Sequence, residues 1–174
     1  MRNAQTRLVV MGVAGSGKST LGQEIADRLD LVFIEGDDLH PAANIRKMAT
    51  GIPLDDADRL PWLDAVGKAL RAPGPGAVAS CSALRRKYRD HLRQVAGPDL
   101  AFLYLSGAPE LLTRRLEDRK GHFMGAAMLE SQLATLEPPT GEPGVLEQNI
   151  NLPVSAILER SLAWLKERAW RYGF

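Results

Sequence analysis

Short apolar runs alternate with longer amphipathic stretches along the chain. The runs Arg7–Met11, Leu31–Ile34, Ala77–Ser80, Leu100–Leu105 and Val145–Asn149 are apolar on both faces, which predicts strands of a covered parallel sheet. Between them, Lys18–Leu29 sets Leu21, Ile25 and Leu29 at four-residue spacing, one stripe of a helix. Arg86–Val95, Pro109–Asp118 and Pro153–Arg168 read the same way, with Pro109 and Pro153 suited to a first helical turn. The alternation predicts an α/β domain of three layers, a five-stranded parallel sheet with helices on both faces and right-handed crossovers.

Two segments break the rhythm. One spans about residues 40–70: His40–Leu70 carries two helical patterns with no strand between them, separated by Gly51-Ile52-Pro53. The other spans about 119–143: it is basic at its start, helical in its middle and rich in Pro and Gly at its end. Both read as insertions over the carboxyl edge of the sheet, where open α/β folds bind ligands and lids close.

Composition narrows the classes. The 174 residues, 45% of them hydrophobic and 25% charged, are enough for one domain with a real core. Lys+Arg 22 against Asp+Glu 21 leaves a net charge of +1, so no global basic excess points to nucleic acid. The lone Cys81 excludes an internal disulfide framework and a Cys-rich zinc site, and favours a reducing, cytoplasmic setting. No stretch approaches the ~20 apolar residues that span a bilayer, so no membrane partner is expected. The aromatic tail Trp170–Phe174 is a candidate seam for a homodimer.

The sharpest motif is Gly12-Val13-Ala14-Gly15-Ser16-Gly17-Lys18-Ser19, which fits G-x-x-x-x-G-K-[ST] at every fixed position. A predicted strand precedes it and a predicted helix follows. Its glycines let backbone N–H groups turn inward as an anion nest, and the helix adds its positive end. Gly12 to Ser19, with Thr20, are therefore candidate nucleotide contacts. Lys18 would reach the β- and γ-phosphates, and Ser19 would ligate Mg²⁺. ATP and Mg²⁺ are the expected cofactors. No N-K-x-D guanine motif accompanies the loop.

A polar cluster, Glu35-Gly36-Asp37-Asp38-Leu39-His40-Pro41, follows the second predicted strand. Carboxylates there sit beside the phosphate loop. Asp37 could take or orient the proton of an attacking hydroxyl, and Glu35 could touch the metal shell.

On these residues the chain resembles the gluconokinases, P-loop sugar-acid kinases related to shikimate and adenylate kinases. The resemblance rests on Met11–Ser19, Gly36–Pro41, Asn44–Met48, Gly51–Leu54, Asp58-Arg59 with Pro61–Leu63, Cys81–Leu84, Tyr88–Asp90 and Arg119–Phe123, with weaker matches at Met128-Leu129 and Gln132–Glu137. It implies a three-layer P-loop kinase fold and transfer of the ATP γ-phosphate to the 6-hydroxyl of D-gluconate; phosphorylation of another small acid such as shikimate, or a nucleotide-dependent switch, are the alternatives. It further implies that Arg59 grips the acceptor carboxylate, which an arginine does bidentately. His40, Lys47, Arg85 and His122 are further candidate acceptor contacts. Arg119, at the start of a mobile lid, would close on the transferring group as an arginine finger in cis, with Arg115 one turn earlier and Gly121 as a hinge. Asn149–Pro153 is a candidate base loop by analogy.

Overall fold

A computed structural model describes residues 5–119 and 125–172, with the side chain of Tyr172 left aside. His122 and Gly121 therefore lie outside the described residues.

The elements run in the predicted order. Strand β1 (Thr6–Met11) leads through the glycine-rich loop into helix α1 (Lys18–Leu29), followed by β2 (Val32–Glu35). A 3-10 turn over Gly36–Leu39 precedes α2 (Ala42–Ala49) and α3 (Asp56–Arg71). Then come β3 (Gly76–Ser80), α4 (Arg86–Ala96), β4 (Ala101–Ser106), α5 (Pro109–Glu117), α6 (Gly125–Thr135), β5 (Val145–Asn149) and α7 (Val154–Tyr172). The five strands form one sheet in the order β2-β3-β1-β4-β5, every pair parallel. Helices cover both faces; α1 packs with α7 and α3 with α4.

The apolar runs explain the middle of the sheet. Leu8 to Met11, Val78, Ala79, Phe102 and Leu103 are fully buried, as continuous hydrophobic strands between two helical layers should be. The edges differ. Val32 is 52% exposed and β5 buries only Gln148 fully, because an edge strand has a neighbour on one side only. Leu29 also departs from its predicted stripe and is 38% exposed. At 3.6 residues per turn, eight residues overshoot two turns, so Leu29 rotates away from the face that Leu21 and Ile25 bury.

The topology positions the site. The chain leaves β1 toward β3 and β2 on one side and meets β4 on the other, so the loop after β1 lies where strand order reverses. The segments after β1, β2 and β3 converge on that carboxyl edge, with α2, α3 and α6 above them. Among the described residues, no helix is long and apolar enough to cross a membrane.

Candidate functional site

The loop after β1 has the shape its sequence requires. Gly15 and Gly17 hold φ of 81° and 92°, the left-handed region that favours glycine, and Gly17 caps α1. A Cβ at Gly12 would stand 2.7 Å from Ser16 Oγ and 2.9 Å from the Leu105 carbonyl. Ser16 Oγ is buried with no hydrogen-bond partner in the structure, a polar atom turned into the nest. Lys18 Nζ donates to the Val13 carbonyl at 3.0 Å. Desolvation holds the Lys18 ammonium below its ordinary pKa of 10.5, against Asp37 and Glu35, which favour the charge. Ser19 and Thr20 stand exposed on the first turn of α1. A cavity of about 310 Å³ opens beside the loop. Gly15, Ser16, Gly17, Thr20, Arg115 and Arg119 line one part of it, and Ile150, Val154 and Ile157 supply an apolar part. Arg115 Nη2 donates to the Ile150 carbonyl at 2.9 Å, linking the two. Cations and a nest together with apolar side chains offer partners for the phosphates and the base of a nucleotide. The cavity draws on Ile150, within the Asn149–Pro153 base-loop candidate, and adds Val154 and Ile157, which the sequence did not single out.

On the other side of Lys18 lies a second cleft of about 260 Å³, just under the ~300–1,000 Å³ usual for drug-sized ligands. Lys18, Asp37, His40 and Arg59 all line it, and Ala14 brings the phosphate loop to its wall. Asp37 is open to it, its side chain 83% exposed. The 3-10 turn that presents Asp37 depends on Gly36, where a Cβ would fall 1.9 Å from the Ser80 carbonyl. Glu35 is engaged beneath: its carboxylate accepts from Ser80 Oγ at 2.6 Å, and that oxygen accepts from Gly36 N–H at 3.1 Å. Asp37 and Asp38 do not cap α2; Pro41 holds the N-cap position.

Arg59 is half-buried, and Tyr88 holds it twice. Its Nη1 donates to the Tyr88 hydroxyl at 3.1 Å, and its guanidinium carbon lies 5.4 Å from the ring centre. The neighbouring carboxylates are engaged elsewhere. Asp55 and Asp58 close a capping box on α3. Asp58 also accepts from Lys47 at 2.7 Å, a contact that lowers its pKa and raises that of Lys47. Asp56 accepts from Lys87 and Tyr88 and pairs with Arg85 at 3.7 Å. Lys47 and Arg85 are thus tied to Asp58 and Asp56 rather than set into the cleft wall. Burial pushes the Cys81 thiol up to about 12, which keeps it a small protonated core residue.

Four residues that the sequence left out of the site shape it. Trp62 stacks on His40, ring centres 4.1 Å apart, and donates to the Gly36 carbonyl at 2.7 Å. Tyr88 orients Arg59. Gln132 of α6 accepts from Ala14 N–H at 2.7 Å, joining the second insertion to the phosphate loop. Arg89 is fully buried: it pairs with Glu142 at 2.6 Å and donates to the carbonyls of Ala83 and Glu137. Its spacing to Leu92 and Ala96 places it on the apolar stripe of α4, a signal that was available in the sequence. Arg93 joins the cluster through Glu142 at 3.1 Å. Burial pushes the Glu142 carboxyl up, but hydrogen bonds and charge from Arg89 and Arg93 outweigh it and leave its pKa below the usual 4.5. Stability from this pair is therefore present above about pH 4.5 and lost as pH falls through the lower folded-state pKa. Arg89→Met, which leaves a buried carboxylate short of a partner, is expected to cost about 3–5 kcal/mol by urea unfolding. A loss within 0.5 kcal/mol, roughly that of an unremarkable surface change, would contradict the anchoring role.

Comparison with known proteins fits this geometry. A family model described as an AAA domain matches residues 8–139. The gluconokinase of Gluconobacter oxydans (strain 621H) is 48% identical over 157 residues, covering 87% of this chain and 86% of its own. The thermoresistant gluconokinase of Escherichia coli (strain K12) is 42% identical over 163 residues, covering 91% of this chain and 93% of its own. The chain belongs to the gluconokinase family. A crystal structure of a gluconokinase from Sinorhizobium meliloti 1021 superposes with a TM-score of 0.89 at 48% identity, over 97% of this chain and 96% of that one. The P-loop kinase fold that the resemblance implies is thus the fold of the gluconokinase family, and the protein is a nucleotide-dependent kinase.

Proposed function

We propose that the protein transfers the γ-phosphoryl group of ATP to the 6-hydroxyl of D-gluconate, giving 6-phospho-D-gluconate and ADP. The observation that carries this is one cleft in which Lys18, Asp37 and Arg59 face a shared space beside the phosphate nest. Gluconate has a carboxylate at one end and a primary alcohol at the other. Arg59, steadied by Tyr88, binds the carboxylate; Asp37 orients the alcohol and accepts its proton. The nest, Lys18 and Arg115 hold the phosphates in the adjoining cavity, so donor and acceptor meet at Lys18. Mg²⁺, when bound, neutralises charge on the transferred group, and Ser19, exposed at the start of α1, is the residue that would hold it. Arg119 lines the nucleotide cavity and, as the second insertion closes over the site, adds positive charge and helps exclude water. In this reading the chain is one kinase domain, with residues of about 40–70 forming the acceptor side and about 119–143 the lid. A homodimer joined through Trp170, 86% exposed on α7, belongs to the same proposal and would show twice the chain mass by light scattering.

A kinase panel of gluconate, shikimate and AMP tests the assignment: turnover of gluconate is expected, and turnover of shikimate or AMP without gluconate would overturn it. Arg59→Ala is expected to raise the gluconate KM by about 10–100-fold, the loss of hydrogen bonds to a charged group, with the ATP KM little changed. An unchanged gluconate KM would remove Arg59 from the carboxylate.

A further inference from the structure

His40 lines the acceptor cleft with its ring held from two sides. Trp62 stacks on its face at 4.1 Å with 15° between the planes. Asn44, only 2% exposed, meets its Nδ1 through the side-chain amide nitrogen at 3.2 Å. The same amide nitrogen donates to the Asp58 carbonyl at 2.9 Å. That second contact decides the polarity of the first. A backbone carbonyl only accepts, so the Asn44 atom facing it must be the NH₂ group rather than the amide oxygen. One hydrogen of that group goes to Asp58 and the other points at His40 Nδ1. A proton on Nδ1 would set donor against donor.

We propose that Asn44 fixes His40 as the Nε2–H tautomer and thereby makes it a permanent neutral donor to a hydroxyl of the sugar acid. Nε2 lies 3.9 Å from Asp37 Oδ1, beyond hydrogen-bond reach, so its hydrogen serves the cleft rather than the carboxylate. The charged groups around the ring pull in opposite directions. Asp37 on the 3-10 turn favours a proton and Arg59 on α3 opposes it, while Lys18 of α1 lines the same cleft. Burial is the largest influence, and it takes the pKa below the ordinary 6.5. A polyol acceptor carries both donors and acceptors on every hydroxyl. A histidine that offers the cleft only a donor, beside an Asp37 carboxylate that accepts, reads the direction of those hydroxyls. Asn44 acts through His40 and is a positioning residue. The inference rests on the proposed gluconate reading for the identity of the hydroxyl, and on the geometry alone for the tautomer.

Long-range ¹⁵N–¹H correlation spectra of ¹⁵N-labelled protein report the tautomer directly, with the His40 signal assigned by its loss in His40→Gln. The expected wild-type pattern is neutral Nε2–H at about pH 7–8, shifting on addition of gluconate alone. A neutral Nδ1–H pattern, an imidazolium at neutral pH, or no response to gluconate would overturn the proposal. Asn44→Asp replaces the facing donor with an acceptor. It is expected to move the proton to Nδ1 or to leave an imidazolium, and to raise the gluconate KM about tenfold, one hydrogen bond's worth, with the ATP KM within about twofold. A changed tautomer with an unchanged gluconate KM would also overturn it. If that variant does not fold, the wild-type spectrum and its gluconate response decide. A protein that phosphorylates no gluconate defeats the functional reading, while the spectrum still decides the tautomer.

Discussion

Lys18→Ala is expected to lower kcat by at least about 10³-fold without lowering the melting temperature. The rate effect follows from position. Lys18 lines the acceptor cleft, and the nest of which it is part opens onto the nucleotide cavity. In the proposed reaction its ammonium stands between the donor phosphate and the incoming hydroxyl. The stability effect follows from desolvation. Burial lowers the folded-state pKa of Lys18 beneath its unfolded value of 10.5, so the unfolded chain binds that proton more tightly. Stability then rises with pH between the two values, and below that window the partly desolvated charge weighs against the fold. Alanine removes the burden, offsetting the lost contact with the Val13 carbonyl. Thermal melts and steady-state kinetics on one preparation check both halves. Near-normal turnover would contradict the phosphate-loop assignment, and a collapsed fold would make Lys18 structural.

Asp37→Asn is expected to lower kcat by about 10²–10⁴-fold, with the KM for ATP and for gluconate changed by only a few-fold. Asparagine keeps the size of the side chain, and the 3-10 turn that presents it depends on Gly36 and on backbone contacts rather than on the Asp37 carboxylate. What it loses is the ability to accept a proton from the attacking alcohol. Binding interactions made equally in ground and transition states survive, so the loss falls on kcat. A variant that loses gluconate affinity while retaining kcat would make Asp37 a binding residue and move the proton elsewhere.

Much of this was legible along the chain because local rules set it. Helix α1 runs over Lys18–Leu29 and β5 over Val145–Asn149, the predicted bounds, since a capping glycine and flanking breakers mark them. Gly12–Ser19 and Asp37 meet at one edge of the sheet because strand order brings β1 and β2 there. Arg59 lines the cleft, and Tyr88, 29 residues on, holds it, a contact that no local pattern reports. Gln132 and Ala14 are 118 positions apart and Arg89 and Glu142 53, and no periodicity reports contacts at those distances. Arg89 was hidden for a further reason. An arginine on a helix is ordinarily solvated, and only its carboxylate partner and two carbonyls make full burial tolerable.

In the proposed reaction the phosphate nest and Asp37 direct one phosphoryl group to one alcohol. Phosphorus NMR of the product made from ATP, Mg²⁺ and gluconate labelled with ¹³C at C6 tests it in one spectrum. A single phosphomonoester coupled to the labelled carbon, formed in step with ADP, is the predicted result. ADP released with no sugar phosphate, or an ester on any other carbon, would contradict it.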